Sequence, residues 1–378
     1  MLTSLHLKGF KSFDDERMAL GGLTVLVGAN ASGKSNVLDA IRLLQGLALG
    51  KPVSTAIRGE WAGGLPVWPG VRGGAADIAL RGREEFELGT TWDTQSSLWQ
   101  HHVHIGLKPE PRRLSESVMH DDSLYTLPRG LLGFEGPEIP ARYSFMPGTW
   151  EWVHEITSSV DHIKDTLSQA LFLDVTPSRM RGYAPKSATR LDLEGENVSA
   201  LAWSVCQNAE ARADLVDWLA ELCAPELEDI DFAETELGDV MLILVERGGR
   251  RMPARSLSDG TLRFLGELLA LRTAPEGSLM LIEEIENGLH PTRAHLLVEA
   301  MEAAVIERKV QIIATTHSPL VLNALSPEAL RAAVLVARPP GSTSTLLRSL
   351  GELPGFDEVV ARRGIDQLIT SGWLERAV

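Results

Sequence analysis

The stretch 23–40, LTVLVGANASGKSNVLDA, constrains this chain more than any other part of it. An apolar run, Leu23, Val25, Leu26 and Val27, leads into a loop bearing Gly28 and Gly33. Beyond it Val37, Leu38, Ile41 and Leu44 recur at helical spacing. The pattern predicts a strand, a glycine loop and a helix. The loop, 28–35, fits G-x-x-x-x-G-K-[ST]. Gly28 and Gly33 let the backbone come close to a polyphosphate, Lys34 sets an ammonium against the outer phosphates, and the Ser35 hydroxyl can ligate Mg²⁺. Asn30, Ser32 and Asn36 are counted with them as nucleotide-binding positions. The helix N-terminus that follows favours anions through its unpaired N–H groups and its dipole.

Three later segments carry related chemistry. Ser256-Leu257-Ser258-Asp259-Gly260-Thr261 precedes an amphipathic pattern, so small polar residues and a glycine stand at a helix start, as an anion cradle or as simple capping. Leu279-Met280-Leu281-Ile282 reads as a buried strand ending in Glu283 and Glu284, an arrangement suited to one acid near Mg²⁺ and another near an attacking water. Val310-Gln311-Ile312-Ile313-Ala314 is a further buried strand running into Thr315-Thr316-His317-Ser318-Pro319, and His317 then stands at a strand's carboxyl end, where open α/β sheets bind ligands.

In this order GANASGKS, SLSDGT, LMLIEEIENGLHP and TTHSP resemble the ATP-binding cassette ATPases, and the opening HLKGFKSF is similar to their SMC/RecF/OLD-like branch of DNA maintenance and bacterial defence. The resemblance implies an α/β P-loop NTPase fold of ABC type with a mixed α/β insertion between the phosphate loop and the signature segment. It divides the chain into 1–50, a β-lobe and helical insertion at 51–240, and 241–378. It implies Mg²⁺-dependent ATP hydrolysis, with Lys34 and Ser35 serving phosphate and metal, Glu283 supporting Mg²⁺ in a position where the family usually has Asp, and Glu284 polarising the water. His317 would hold the γ-phosphate. Ser258 and Gly260 would cap the γ-phosphate bound by a second copy, in a homodimer that sandwiches two ATP molecules, with Asn287 and Gly288 at its seam. Gln95, Gln100 and Gln169 stay equal candidates for the family's glutamine loop. About sixty residues follow His317 and lack the Asp-x-Asp pair of an OLD-type nuclease domain, so any nuclease or toxin activity is expected in a partner effector. The ATPase subunit of a membrane transporter, and a nucleotide-bound scaffold with little hydrolysis, are the alternatives.

Composition adds limits. With 36 Lys+Arg against 51 Asp+Glu the formal charge is −15, which supplies no electrostatic argument for wrapping DNA. Two cysteines, Cys206 and Cys223, are too few for a disulfide framework or a zinc site, and neither a leader nor a membrane span is evident, so a reducing cytoplasm is expected. Elsewhere the pattern predicts a strand over 2–7, an irregular loop over 50–74, strands within 75–108, helices over 157–172 and 197–223, a solvated acidic surface over 226–236 and a strand over 240–245. Two tail strands near 334–336 and 346–347 and a final helix complete it. His101, His102 and His104 read as strand residues without a carboxylate at ligand spacing.

Overall fold

The computed structural model describes residues 1–63, 65–94, 97–121, 123–126, 149–223, 226–287, 293–339 and 341–377. Two compact units emerge, Met1–Ala170 with Arg331–Val378, and Leu171–Leu330.

The first unit opens with β1 (Leu2–Lys8), whose Leu5 and Leu7 point into the core while His6 and Lys8 lie on the other face. Strand β2 (Asp15–Ala19) pairs back on it, with Leu5 opposite Met18. Between them Phe10 and Phe13 are fully buried. All five residues of β3 (Leu23–Val27) are buried, as a strand in a parallel sheet requires. Helix α1 (Lys34–Ala48) follows directly and buries Val37, Leu38, Ile41 and Leu44, each contributing about 1.5–3 kcal/mol.

The stretch after α1 is more ordered than its glycines and prolines suggest. It forms α2 (Val53–Arg58) and a hairpin of β4 (Glu60–Ala62) and β5 (Leu65–Trp68). Trp68 is the reason: its indole N–H donates to Ala56 O at 3.0 Å, and its ring fills the space that a Cβ at Gly46 of α1 would take. Trp68 and Ala56 together pack against Gly46 of α1 and order a segment whose local composition favours no element.

Strands β6 (Glu85–Asp93), β7 (Leu98–Gly106), β8 (Arg112–His120) and β9 (Ser123–Thr126) complete an antiparallel sheet ordered β2-β1-β6-β7-β8-β9. Its inner face carries Leu5, Leu7, Phe86, Leu88, Trp92 and Trp99. His101 is on that face too, with its Nε2 at 2.8 Å from Glu116 Oε1, and Arg113 reaches the other carboxylate oxygen at 2.7 Å. Burial pushes the Glu116 carboxyl up, but His101 and Arg113 outweigh it and hold the group below the usual carboxylate range. His104 meets Glu85 at 3.3 Å across β6. Acids therefore do stand beside these histidines, brought there by strand pairing rather than by sequence spacing. Among the described residues no group of three or more His, Cys, Asp or Glu could hold a metal ion.

Helix α3 (Thr149–Ser168) begins earlier than the periodicity suggests and packs Ile156, Val160, Ile163 and Leu167 inward. Gln45 of α1 donates to Ala170 O at 2.6 Å just past its end.

The second unit starts with β10 (Leu171–Leu173), so these residues extend into a strand instead of prolonging the helix. Helices α4 (Val198–Val205) and α5 (Ala209–Cys223) replace one continuous helix, because Asn208 Oδ1 accepts from the N–H groups of Glu210 and Ala211 and starts a new one. The acidic run is a strand, β11 (Leu227–Glu234), with Ile230 buried and Asp229 and Asp231 paired to Arg212 and Arg251. It forms a three-stranded antiparallel sheet with β12 (Val240–Glu246) and β13 (Arg250–Pro253). Helix α6 (Asp259–Thr273) leads to the wholly buried β14 (Leu279–Ile282), then α7 (Ala294–Arg308), the wholly buried β15 (Gln311–Thr316), and α8 (Pro319–Ala324). Strands β10, β14 and β15 run parallel in that order. After α9 (Pro327–Ala332), β16 (Val334–Ala337) lies parallel to β3, and β17 (Leu346–Ser349) antiparallel to β16. Helices α10 (Phe356–Arg363), α11 (Ile365–Thr370) and α12 (Trp373–Arg376) finish the chain.

One buried group sets a pH dependence. Glu267 of α6 is 1% exposed, its Oε2 has no hydrogen-bond partner among the described residues, and its Oε1 is 3.9 Å from Arg263. Burial pushes its carboxyl up to about 8, Arg263 pulling only weakly the other way. The folded chain thus holds a proton here that the unfolded chain releases above the ordinary carboxylate range, so this group's contribution falls as pH rises from about 4.5 to about 8. Glu267→Leu is expected to raise the unfolding free energy by about 1–3 kcal/mol at pH 8 and by less at pH 6. Urea denaturation at the two pH values measures this, and an equal or larger gain at pH 6 would contradict it.

Candidate active site

In the first unit, β3 delivers the chain into a loop that cannot carry larger residues. A Cβ at Gly28 would meet Val336 O at 2.2 Å, and Gly33 sits at φ 118°, with Ser12 and Thr345 beside the position a Cβ would take. Thr345 Oγ1 donates to Ser32 O at 2.9 Å, and Thr345 N to Ser12 O at 2.7 Å, tying the loop to the strand ends around it. Helix α1 then begins with neither a side-chain cap nor an acidic residue in its first turn. Its dipole faces outward unneutralised.

Lys34 is buried, and its ammonium donates to Gly28 O at 2.6 Å and Ala29 O at 2.9 Å. The cation is therefore held inside the loop it would share with a phosphate. Ser32 is also buried, and its Oγ has no hydrogen-bond partner among the described residues. A buried hydroxyl without a partner is costly, and a phosphate oxygen would satisfy it. The residues present fit a nucleotide polyphosphate.

Cations invisible as a motif gather beside this helix start. Asp39 of α1, 1% exposed, accepts from Lys11 Nζ at 2.6 Å and from Arg72 Nε at 3.1 Å, while Arg72 Nη2 donates to Ser35 O at 2.7 Å. Asn36 Nδ2 donates to Ser12 Oγ at 2.9 Å. An open cavity of about 390 Å³ is lined by Lys11, Ser12, Asn36, Arg72, Arg81 and Arg338 among others. Asp77 lines it as well, and Lys11 and Arg72 are paired with Asp39, so the cations outnumber the carboxylates here in a chain of charge −15. Lys11 stands in the quoted HLKGFKSF, but Arg72, Arg81 and Arg338 come from distant loops, and no spacing rule connects them.

In the second unit, Ser258 is the N-cap of α6. Its Oγ accepts from Thr261 N at 3.1 Å and lies 2.8 Å from Thr261 Oγ1. Capping uses the oxygen as an acceptor, and in the contact with Thr261 Oγ1 either hydroxyl can be the donor. Gly260 lies in the first turn of the same helix.

At the end of β14, Glu284 has φ 50°, a left-handed conformation unusual for a side-chain-bearing residue. Glu284 N donates to Thr315 Oγ1 at 2.9 Å and Ile285 N to Thr315 O at 3.1 Å, so the carboxyl end of β15 holds the turn. Asn287 N donates to Glu284 O at 2.8 Å. Glu283, half-buried, lies just past the end of β14. The acid that grips His317 is one that motif reading passed over. Glu286 accepts from His317 N at 2.7 Å and from Thr316 Oγ1 at 2.8 Å, and His317 Nδ1 is 2.7 Å from the same carboxylate. The ring is thereby oriented with Nε2 directed away from Glu286. Gly288 and Gln95 lie outside the described residues, and Gln100 and Gln169 belong to the first unit, in β7 and just after α3.

Residues 166–323 match the family described as "AAA domain, putative AbiEii toxin, Type IV TA system", and residues 1–54 match the family "AAA ATPase domain". A head domain of Smc bound to the C-winged helix domain of ScpA superposes with a TM-score of 0.55 at 14% identity, over 92% of this chain and 98% of that one. The chain folds as an SMC/RecF-like ABC-type ATPase. A second Smc head, from Pyrococcus yayanosii, agrees with this ATPase fold at a TM-score of 0.51 and 11% identity, over 96% and 99% of the two chains. Sequence likeness is local. The chromosome partition protein Smc of Clostridium kluyveri is 51% identical over 47 residues, 12% of this chain and 4% of the relative. Endonuclease MutS2 of Carboxydothermus hydrogenoformans is 32% identical over 85 residues, 22% and 11% of the two. The chain thus spans a small part of the length of the curated relatives it matches. Among its described residues no helix is long and apolar enough to cross a membrane.

Proposed function

We propose that this chain binds and hydrolyses ATP, pairs with a second copy around two nucleotides, and so gates a protein effector, in phage defence or DNA repair. The observation carrying this reading is the buried, unpartnered Ser32 hydroxyl in a loop that opens onto an uncapped helix N-terminus. On binding, Lys34 redirects its donors from Gly28 O and Ala29 O to the outer phosphates of ATP. Gly33 and the first turn of α1 supply backbone N–H groups to the same anion. Gly28, Asn30, Ser32 and Asn36 line it. Ser35 and Glu283 are the residues that would hold Mg²⁺, which neutralises charge developing on the phosphates. Glu284 accepts a proton from the attacking water, and His317, oriented by Glu286, offers Nε2 to the γ-phosphate. Ser258 and Gly260, at the start of α6, receive the γ-phosphate carried by the second copy.

The Smc head whose structure resembles this one is bound by a domain of ScpA, which supports a protein partner in general terms. A cytoplasmic setting accords with the chemistry. The test is the mass of purified Glu284→Gln protein in solution by light scattering. With Mg-ATP it should rise from 41.2 kDa to twice that value, whereas Lys34→Ala should stay at the lower mass. Capture of the ATP-trapped dimer from its own cells then identifies the effector. A trapped protein that remains monomeric at saturating ATP removes the dimer from the reading, and phosphate release separates a hydrolysing enzyme from a nucleotide-bound scaffold.

A further inference from the structure

The loop before α6 is shaped by one side chain that belongs to none of the recognised segments. Arg181 lies in the long connection between β10 and α4. Its Nη1 is 2.8 Å from Leu257 O, 3.0 Å from Arg255 O and 3.5 Å from Ala254 O, and its Nη2 donates to Asp259 Oδ1. We infer that Arg181 is a positioning residue that holds 254–259 in the shape by which Ser258 and Gly260 receive the second copy's γ-phosphate. This rests on the ATP-dimer reading above.

Two physical effects are joined in that guanidinium. One arm of its planar fork, Nη1, faces three carbonyls of one short stretch while the other, Nη2, reaches Asp259. In a trans peptide the following N–H points opposite to the carbonyl, so turning the carbonyls of Ala254, Arg255 and Leu257 toward Arg181 turns the N–H groups of Arg255, Ser256 and Ser258 away from it. Leu257 and Ser258 are correspondingly extended, with ψ 154° and 155°, and Ser258 enters α6 as its cap. The second effect is charge. Asp259 in the first turn of α6 favours the helix dipole but opposes an arriving phosphate, and Arg181 pairs with that carboxylate. One residue both sets the loop's shape and removes its repulsion.

The experiment places Arg181→Ala, Arg181→Lys and Arg181→Ala with Asp259→Asn in the Glu284→Gln background. Each protein is read for binding of a fluorescent ATP analogue to the single chain, for ATP-driven dimerisation, and for its thermal melt. The expected result for Arg181→Ala is nucleotide affinity within about twofold of the parent and dimerisation weakened at least about tenfold, a loss corresponding to about 1.4 kcal/mol. Arg181→Lys, which keeps the charge and loses the fork, should fall between. Adding Asp259→Asn should recover several-fold, a rescue that a merely structural loss would not show. Dimerisation of Arg181→Ala at the parent's strength overturns the inference, as does a double variant no better than Arg181→Ala. If Arg181→Ala does not fold, Arg181→Lys decides, and parental dimerisation by that variant overturns it. Failure of the parent itself to dimerise with ATP instead overturns the function reading, and this inference with it.

Discussion

Lys34→Ala should lose nucleotide binding altogether at concentrations that saturate the unaltered chain. The ammonium is buried and already aimed into the loop through Gly28 O and Ala29 O, so it is positioned before a ligand arrives. Hydrogen bonds to charged groups contribute about 1.5–3 kcal/mol each, and Lys34 would make them to an anion of several charges. The affinity for Mg-ATP should therefore fall by about a hundredfold or more. Titration calorimetry measures it, and a thermal melt without nucleotide checks that the loop survives losing its two internal hydrogen bonds. Binding within about threefold of the unaltered chain would remove Lys34 from the phosphate site.

Glu284→Gln should separate binding from turnover. Gln keeps the length of the side chain and leaves the backbone contact from Glu284 N to Thr315 Oγ1 intact, but it cannot accept the proton of an attacking water. General-base contributions are about 10²–10⁴-fold, so phosphate release should drop by that factor while nucleotide affinity is retained. The left-handed φ of residue 284 strengthens the expectation, because such a conformation is held only where surrounding contacts enforce it. Phosphate release at the unaltered rate would remove Glu284 from the base role. If both variants behave as expected, the two segments have distinct duties: one retains the nucleotide and the other consumes it.

The parts of this molecule that could be read from the chain share one property, that their signal is contiguous. Leu23–Val27, Leu279–Ile282 and Gln311–Thr316 are short apolar runs, each wholly buried in its strand. The phosphate loop needs glycines at fixed offsets because its carbonyls and N–H groups come from neighbouring residues. Ser258 announced a helix start for the same reason. Such features depend on a few successive residues, and a linear pattern contains them entire.

What escaped the sequence depends on partners far away in the chain. Trp68 folds 53–68 onto α1, Asp229 and Asp231 enter a strand because Arg212 and Arg251 meet them, and Glu116 reaches His101 only when β7 and β8 pair. Asn208, a local cap that could have been noticed, divides what looked like one helix. Around the candidate site, Asp39 joins Lys11 and Arg72, Glu286 orients His317, and Arg181 gathers the loop before α6. A charged side chain has no periodicity to betray its partner, since any opposite charge satisfies it and burial alone selects which. The linear sequence thus determined the glycine loop, the buried strands and the order of the candidate site residues, all governed by local backbone geometry and apolar burial. Tertiary structure alone decided which cations and carboxylates position them, because those choices are made by distance in space.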